Sequence, residues 1–332
     1  MATILFHAEG DARTGLGHLV RMVGVAGELA DEHSVHLASA SAHLRAVVAE
    51  LSPWAKRDFS LHELTPSDEL PWDRGEPLAA ELVTLAHKAG ATLLVSDGKV
   101  AYGAHAFQSL REARRTRVVL VDNVQAARDC FDLLVLPTCH ADPAIVAAVG
   151  VDRVRTGPDW TFVHPAVKAL RDAPRGARRG VFVSMGGADP NGLTLRALQH
   201  LLAHTTHALV AAVGPANRFR AELDALAQAE PRVKLVSGSP ETQEALAGAE
   251  YAVCAFGITA YEAVALAVPL IVVPHDGRVD ADMERFVGAF APAVIAASSP
   301  EELVVIPSFA GSVAPAFGAL SRSLERVIAG SG

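Results

Sequence analysis

Short apolar runs alternate with amphipathic segments along almost the whole chain, and this alternation restricts the fold more than any other feature. Residues 3–7, 92–96 and 118–121 are mostly apolar runs, each short enough to be a strand. Between such runs, segments like residues 19–30 carry apolar residues at helical spacing. Parallel sheets covered by helices on both faces have this pattern. The sequence therefore predicts an α/β fold.

The alternation restarts near residue 180, after a stretch of different composition. Residues 155–180 are rich in proline, glycine and arginine, which is typical of a linker between domains. We predict an N-terminal domain over 1–155, a linker over 156–179 and a C-terminal domain over 180–332. Two domains also suit a chain of 332 residues, at ~100–200 residues per domain. Two Rossmann-like halves predict a ligand in the cleft between them.

The composition excludes some classes of function. Hydrophobic residues make up 50% of the chain, and the formal net charge is −8. A chain without a basic surplus gains little by displacing counterions from a nucleic-acid backbone, so we expect no nucleic-acid partner. The apolar stretch 251–274 contains Gly257, Glu262 and Pro269. These residues fit a strand–helix–strand unit and argue against a membrane span.

The cysteines and the N-terminus predict the compartment. None of the three cysteines has metal-binding spacing, and their odd number favours reduced thiols; they are Cys130, Cys139 and Cys254. No signal-peptide pattern precedes the first apolar run. We therefore expect a cytoplasmic protein, and the sequence does not predict its oligomeric state.

A glycine-rich turn follows the first predicted strand. Gly15 and Gly17 lie between this strand and the helix that begins near His18. Glycine allows a sharp turn and a close approach of ligand, and free N–H groups at a helix start favour an anion. A histidine at this place is positioned for acid–base chemistry, so His18 is a candidate catalytic residue. A simple tight turn with a cap-region histidine is the alternative.

A second glycine-rich turn mirrors the first in the C-terminal half. Met185, Gly186, Gly187 and Asp189 follow the strand predicted at 180–185. Backbone N–H groups in such a turn can hold a diphosphate or a sugar hydroxyl. Alternatively, Asp189 caps the following helix. The turn lacks the Gly-Lys-Ser/Thr of a Walker loop.

A third turn begins at Phe256, Gly257 and Ile258. Thr259 and Glu262 stand three residues apart, which is the spacing of a helix capping box. The alternative is that Glu262 faces the cleft, where its carboxylate accepts both hydroxyls of a ribose. In that case the C-terminal half holds a nucleotide and the N-terminal half supplies His18.

Two aspartates end predicted strands of the N-terminal half, namely Asp97 and Asp122. Each is a candidate orienting carboxylate or a helix cap, and we assign Asp97 to the catalytic set. His275 is followed by several aspartates, but no spacing there fixes a metal geometry. We therefore predict no metal site.

Three stretches, in order, resemble the PseG/SpsG family, which comprises a UDP-sugar hydrolase of pseudaminic acid synthesis and spore-coat polysaccharide proteins. They are Gly15-Leu-Gly-His-Leu-Val-Arg21, Val183-Ser-Met-Gly-Gly-Ala-Asp-Pro190 and Ile258-Thr-Ala-Tyr-Glu-Ala-Val-Ala-Leu-Ala-Val-Pro269. The resemblance implies a GT-B fold, two Rossmann-like domains facing each other across a cleft. It also implies catalysis near His18 and a ribose-binding role for Glu262. The nucleotide-sugar-binding residues that it implies are Gly15, Gly17, Arg21, Met185, Gly186, Gly187, Asp189, Phe256, Gly257, Ile258, Thr259 and Glu262.

The chain departs from the family pattern in places. Family members commonly have Arg-x-Asp after the first strand, where this chain has His7-Ala-Glu9. The hydrolase has Asp-His-Tyr where this chain has Asp97-Gly-Lys99, so the tyrosine that the hydrolase uses near its substrate is missing. The loop after Val273 reads Asp-Gly-Arg instead of the frequent Asn-Gln. The nucleotide-binding half therefore fits the family better than the sugar-binding half.

The expected activity is cleavage of the anomeric C–O bond of a UDP-sugar with inversion, most simply by water. His18 is the expected general base, with Asp97 assisting. The alternative is a metal-independent inverting glycosyltransferase with a hydroxyl acceptor in polysaccharide or natural-product synthesis. An epimerase of the same fold and a non-catalytic binding protein are further alternatives. The UDP-sugar is expected as substrate, with no cofactor.

Overall fold

The computed structural model describes residues 1–10, 15–51, 59–66, 75–112, 116–138, 141–173, 176–303 and 319–330. The chain divides into two compact units. The first consists of Met1–Gly10, His18–Phe162 and Gly318–Gly332, and the second of Asp11–Gly17 and Val163–Phe317. Cys139 lies outside the described residues, whereas Cys130 and Cys254 are free, buried thiols.

The first unit is a parallel sheet with helices around it. Its described strands are β1 (Thr3–Ala8), β2 (Ser34–Ser39), β3 (Ser60–Glu63), β4 (Leu93–Asp97), β5 (Arg117–Val121), β6 (Leu133–Val135) and β7 (Val154–Arg155). Their order in the sheet is β3-β2-β1-β4-β5-β6-β7. Its described helices are α1 (Gly17–Leu29, whose first residue belongs to the second unit), α2 (Leu44–Leu51), α3 (Gly75–Ala89), α4 (Gln108–Glu112) and α5 (Pro143–Val149).

The second unit repeats this architecture. Its described strands are β8 (Val181–Ser184), β9 (Leu209–Ala212), β10 (Val233–Val236), β11 (Tyr251–Ala255), β12 (Leu270–Val273) and β13 (Val294–Ala296), in the order β10-β9-β8-β11-β12-β13. The described helices that follow β7 are α6 (Pro165–Asp172), α7 (Leu193–His204), α8 (Arg220–Ala229), α9 (Glu241–Gly248), α10 (Ile258–Ala265), α11 (Ala281–Phe290) and α12 (Leu320–Ile328). The last of these, α12, belongs to the first unit.

The central strands explain why the apolar runs are continuous and do not alternate. Every residue of β4 and of β11 is buried, because helices cover both faces of each sheet. The predicted α/β fold with two Rossmann-like parallel sheets is therefore confirmed. None of the described helices is long and apolar enough to cross a membrane.

The C-terminal helix α12 packs on the first unit, although the chain reaches it only after the second. Ser323 Oγ donates to the carbonyl of Asp159 at 2.9 Å, and Arg117 donates to the carbonyl of Val327 at 3.1 Å. Leu320, Leu324 and Val327 form the buried stripe of this helix. The first unit is therefore built from both ends of the chain.

The stretch that we interpreted as a linker contains regular structure. Residues 165–172 form α6, which begins at a proline, and the His164 side chain accepts a hydrogen bond from the Ala166 N–H. Proline is favoured at the first helical position because its missing N–H would have no intrahelical partner there. Some prolines of this stretch therefore stand at the start of a helix, and not only where regular structure ends. Further on, Arg178 donates to the carbonyls of Leu266 and Ala267, where α10 ends.

Each sheet has one point at which the strand order reverses. In the first sheet it lies between β1 and β4, and in the second between β8 and β11. Ligands of open α/β sheets bind outside the carboxyl ends of the strands at such a crossover point. The second and third glycine-rich turns follow β8 and β11, so both lie at the crossover point of the second sheet, and the first turn follows β1 in the chain.

Candidate functional site

The first turn brings His18 to the carboxyl edge of the first sheet. Gly15 has φ +80°, a left-handed conformation that L residues rarely adopt. Helix α1 starts at Gly17, so His18 lies in its first turn, as predicted. The His18 side chain is 20% exposed. Gly17 itself belongs to the second unit, where a Cβ placed on it would stand 3.7 Å from Ile258 Cδ1.

His18, Arg21 and Asp97 form one hydrogen-bonded cluster. His18 Nδ1 lies 2.9 Å from Asp97 Oδ1. Arg21 binds the same carboxylate through Nε at 2.6 Å and through Nη2 at 2.7 Å. Arg21 Nη2 is also 3.0 Å from His18 Nδ1. The contacts of His18 with described residues all involve Nδ1, and none involves Nε2.

The two buried charges of this cluster stabilise each other. Burial alone would raise the pKa of the Asp97 carboxyl, but Arg21 and His18 outweigh it and hold that pKa below its usual range. Burial likewise opposes the charge of Arg21, yet Asp97 and Asp122 together raise the pKa of the guanidinium. Arg21 and His18 thus favour the ionised form of Asp97, which can accept a hydrogen bond from the ring of His18. Both oxygens of Asp97 are bonded to side chains of helix α1, those of His18 and Arg21.

Asp122 is a second carboxylate beside the same ring. Its Oδ2 lies 3.9 Å from His18 Nδ1 and 3.5 Å from Arg21 Nη2. Asp122 has φ 54°, and a non-glycine residue in this region commonly marks a functional or strained position. Two carboxylates and one guanidinium thus surround the imidazole. The cluster becomes electrically neutral when His18 takes up a proton.

The second turn is shaped by a side-chain cap. Asp189 Oδ1 accepts from the Leu193 N–H at 2.8 Å, and Oδ2 accepts from the Thr194 N–H at 2.9 Å. Both oxygens are therefore occupied by the first N–H groups of α7, as the capping alternative predicted. Gly186 has φ +88°, and the Met185 side chain is fully buried in the core. At this turn a ligand can reach backbone groups more readily than the carboxylate of Asp189.

The third turn is not a capping box. Helix α10 begins at Ile258, its N-cap is Gly257, and no side chain caps it. Thr259 therefore lies inside the helix, two residues after the cap position. Glu262 Oε1 accepts instead from the backbone N–H of His164 at 3.1 Å. The open start of α10 leaves its first N–H groups for an anion.

Glu262 is a buried carboxyl without a described cation beside it. Its exposed fraction is 4%, and burial raises its pKa to about 7, although the His164 N–H acts in the opposite direction. The sequence analysis missed His164, since a histidine before a proline gave no sign of this contact. The ring of Phe256 lies beside that of Phe286, with centroids 5.3 Å apart.

A pocket of about 490 Å³ opens at the carboxyl edge of the second sheet. It is lined by the loops after β8, β12 and β13, including Asn191, His275, Asp276 and Ser298. Asn191 Nδ2 donates to the carbonyl of His275 at 2.7 Å, which ties two of these loops together. The loop after Val273 thus borders the second glycine-rich turn.

One group of described residues elsewhere could hold a metal ion. Ligand atoms of Glu32, His33 and Glu325 all lie within 4.8 Å of one another. However, His33 Nδ1 accepts a hydrogen bond from the Ala2 N–H at 3.2 Å. A neutral ring then carries its proton on Nε2, which suits a bond to a carboxylate better than a bond to a metal.

Comparison with known proteins supports the predicted resemblance. No protein-family model matches the chain. The chain is 27% identical over 128 residues to the spore coat polysaccharide biosynthesis protein SpsG of Bacillus subtilis. The match covers 37% of this chain and 38% of SpsG, so the chain spans well under half of the relative it matches.

Solved structures of the GT-B type share the fold over nearly the whole chain. The UDP-GlcNAc 2-epimerase of Rickettsia bellii has a TM-score of 0.67 at 11% identity, covering 99% of this chain and 96% of that one. The enzyme of Methanocaldococcus jannaschii, solved with UDP-GlcNAc and UDP, has a TM-score of 0.64 at 13% identity, covering 99% and 100%. A glycosyltransferase of Rickettsia africae has a TM-score of 0.54 at 11% identity, covering 91% and 86%. At such identities the likeness establishes the fold.

Proposed function

We propose that this chain, a GT-B protein related to SpsG, is an enzyme that cleaves the anomeric C–O bond of a UDP-sugar. The observation that carries the proposal is the His18–Asp97 pair at the crossover point of the first sheet. An imidazole whose Nδ1–H donates to a carboxylate keeps Nε2 as a proton acceptor, which is the arrangement of a general base. The sugar nucleotide in a structural neighbour of nearly full coverage suggests the substrate class.

In the proposed reaction His18 Nε2 takes a proton from the attacking water. The water oxygen bonds to the anomeric carbon as the bond from that carbon to the diphosphate oxygen breaks. The electron pair of the broken bond leaves with UDP, and direct displacement inverts the anomeric centre. Asp97 stabilises the imidazolium that forms, and Arg21 fixes Asp97 from the other side.

The second unit supplies the proposed nucleotide site. The uncapped start of α10 and the backbone of the turn at Gly186 and Gly187 suit a diphosphate. Glu262 suits the ribose hydroxyls because its Oε1 is fixed by a backbone N–H. Backbone dipoles then stabilise the leaving diphosphate, so the proposed reaction uses no metal or other cofactor. The remaining predicted contacts with the nucleotide sugar lie in or next to these turns, except Arg21, which lies in α1 and binds Asp97.

A hydroxyl acceptor in place of water would make the protein an inverting glycosyltransferase. His18 and Asp97 serve either acceptor equally, since both present an O–H to the base. The GT-B fold is shared with the Rickettsia africae glycosyltransferase as well as with epimerases. We favour water because the three motifs resemble a hydrolase family, and we keep transfer as the second candidate.

Proton NMR of nucleotide-sugar mixtures tests the proposal. A panel of UDP- and CMP-sugars is incubated with the protein, with and without hydroxyl acceptors. Release of UDP and free sugar of inverted configuration without acceptor supports hydrolysis. Release that requires an acceptor supports transfer, and a new sugar still attached to UDP indicates an epimerase. A protein that binds UDP and turns over no donor would refute the proposed activity.

A further inference from the structure

A chain of buried polar side chains runs through the first unit to the carboxyl edge of its sheet. The Tyr102 hydroxyl lies 2.8 Å from Ser96 Oγ, and Ser96 Oγ lies 2.9 Å from His7 Nδ1. His7 Nε2 lies 3.1 Å from Glu9 Oε1. Ser96 and His7 are completely buried, and Glu9 is 9% exposed. The proposed reaction does not use any of these four side chains.

The order serine, histidine, carboxylate is that of an acyl-transfer triad, but this group is not one. Such a triad needs a serine that a substrate can reach. Ser96 Oγ is inaccessible and is already hydrogen-bonded to Tyr102. The end of the chain that reaches the surface is the carboxylate of Glu9. The other three side chains therefore act through Glu9.

The direction of the hydrogen bonds follows from their last member. With Glu9 ionised and His7 neutral, His7 donates to Glu9 through Nε2–H and its Nδ1 accepts from the Ser96 hydroxyl. The Ser96 oxygen in turn accepts from the Tyr102 hydroxyl. Every donor thus points along the chain towards Glu9. This arrangement holds the carboxylate in one orientation and fixes the tautomer of His7.

Glu9 still has room for a further donor. The Ala40 N–H lies 3.0 Å from Oε1 and 3.2 Å from Oε2, and Ser39 Oγ donates to Oε2 at 3.3 Å. With His7 these make three donors, whereas a carboxylate accepts about four hydrogen bonds. Among the described residues, no lysine or arginine forms an ion pair with Glu9. The Glu9 side chain keeps 10% of its surface exposed.

The sheet register places Glu9 on the edge that also holds the catalytic pair. Ala8, the last residue of β1, pairs with Asp97, the last residue of β4, and Glu9 directly follows β1. The two carboxylates thus follow neighbouring strands on either side of the crossover point. Asp97 holds His18 there. A ligand whose reacting carbon meets His18 therefore brings its neighbouring groups to the edge that Glu9 borders.

We propose that Glu9 is a substrate-contacting carboxylate that accepts a hydrogen bond from a hydroxyl or amide N–H of the glycosyl group, and that His7, Ser96 and Tyr102 position it. This inference rests on the proposed function, because it assigns the sugar-recognising residue of the same site. Glu9 contributes to recognition of the sugar and not of the nucleotide. Its loss changes the affinity for sugar nucleotides relative to UDP.

Calorimetric titration of the Glu9→Gln variant tests this role. The ligands are UDP, UDP-GlcNAc and UDP-glucose, and the readout is the ratio of the Kd of each sugar nucleotide to that of UDP. The expected result is at least a fivefold rise of this ratio for the sugar nucleotide that the wild type binds best, with the Kd of UDP changed less than twofold. Glu63→Gln is the matched control, since Glu63 ends β3 of the same sheet in an exposed pair with Arg45.

Tyr102→Phe is the second variant, because it keeps the packing against Phe107 and removes only the first hydroxyl of the chain. Tyr102→Phe is expected to raise the same Kd ratio two- to threefold. If circular dichroism shows that Glu9→Gln is not folded, the Tyr102→Phe variant still tests the proposal. An unchanged ratio in a folded variant, with intact UDP binding, overturns the role of Glu9 alone. A wild type that binds none of the three ligands overturns the proposed function itself.

Discussion

Arg21 donates hydrogen bonds to both carboxylate oxygens of Asp97, from Nε to Oδ2 at 2.6 Å and from Nη2 to Oδ1 at 2.7 Å. A bidentate pair of this kind fixes the carboxylate in position and plane. His18 Nδ1 binds to one of those fixed oxygens, so the orientation of its ring depends on a residue that the sequence analysis assigned to nucleotide-sugar binding.

Replacing His18 by asparagine should remove the general base and leave the nucleotide site intact. We expect a fall of about 10²–10⁴-fold in kcat, the usual contribution of a positioned acid–base group. The Kd of UDP should change less than twofold. UDP release measured by NMR gives the rate, and His105→Asn is the control because His105 is exposed and bonded only to Gln108 among the described residues. Full turnover by a folded His18→Asn protein would refute the assignment.

Replacing Arg21 by methionine should destabilise the first unit strongly. The change leaves the ionised Asp97 buried without its cation, and breaking one side of a buried pair costs about 3–5 kcal/mol. Urea unfolding followed by circular dichroism measures the loss. The control is Arg45→Met, which breaks an exposed pair with Glu63 and should cost no more than about 1 kcal/mol. Equal losses in the two variants would show that the Arg21–Asp97 pair contributes no special stability.

Glu262 should make stability fall as the pH rises. Its pKa is raised to about 7 from the ordinary 4.5 by burial, so the folded state holds the proton more tightly than the unfolded state. The penalty therefore appears as pH rises above about 4.5 and is complete above about 7. The rise of the Glu262 pKa from 4.5 to about 7 corresponds to a loss of about 3 kcal/mol in the free energy of unfolding.

Urea unfolding at about pH 5 and about pH 8 measures this penalty. The Glu262→Gln variant should lose this part of the pH dependence, whereas Glu222→Gln, on the exposed face of α8, should keep it. If the free energy of unfolding changes equally between the two pH values in the wild type and in Glu262→Gln, the raised pKa of Glu262 is contradicted. The same variant should bind UDP more weakly, because a ribose acceptor is lost.

Replacing Gly214 by alanine should displace the second glycine-rich turn. A Cβ at Gly214 would meet the Gly187 carbonyl oxygen at 2.3 Å and its Cα at 2.4 Å. Backbone atoms must move to relieve such a contact, which costs about 1–3 kcal/mol and should weaken UDP binding at least fivefold. Gly288→Ala is the control, because nothing lies within 4 Å of a Cβ there. Equal UDP affinities in both variants would remove the turn from the nucleotide site.

The glycine-rich turns show which local features can be predicted from the sequence and which cannot. The motif around Gly15 and His18 predicted a strand, a turn and a helix in the right places, because these depend on local spacing of apolar residues and on glycine. The same reasoning offered Thr259 as a helix cap, and the structure places the cap one residue outside the helix, at Gly257. Local spacing sets a helix to within a residue or two, which is not accurate enough to identify its cap.

The chain by itself determined two parallel sheets with helices, three turns at their carboxyl edges, and the candidates His18, Asp97 and Glu262. These follow from patterns between residues that are near each other in the chain. Only the tertiary structure decided which of Asp97 and Asp122 holds the ring directly, that Arg21 grips Asp97, that Asp189 is a cap and that His7 leads to Glu9. Partners such as Arg21 and Asp97 stand 76 residues apart. Such pairs meet only through strand register and helix packing, which the alternation of apolar and polar residues does not specify.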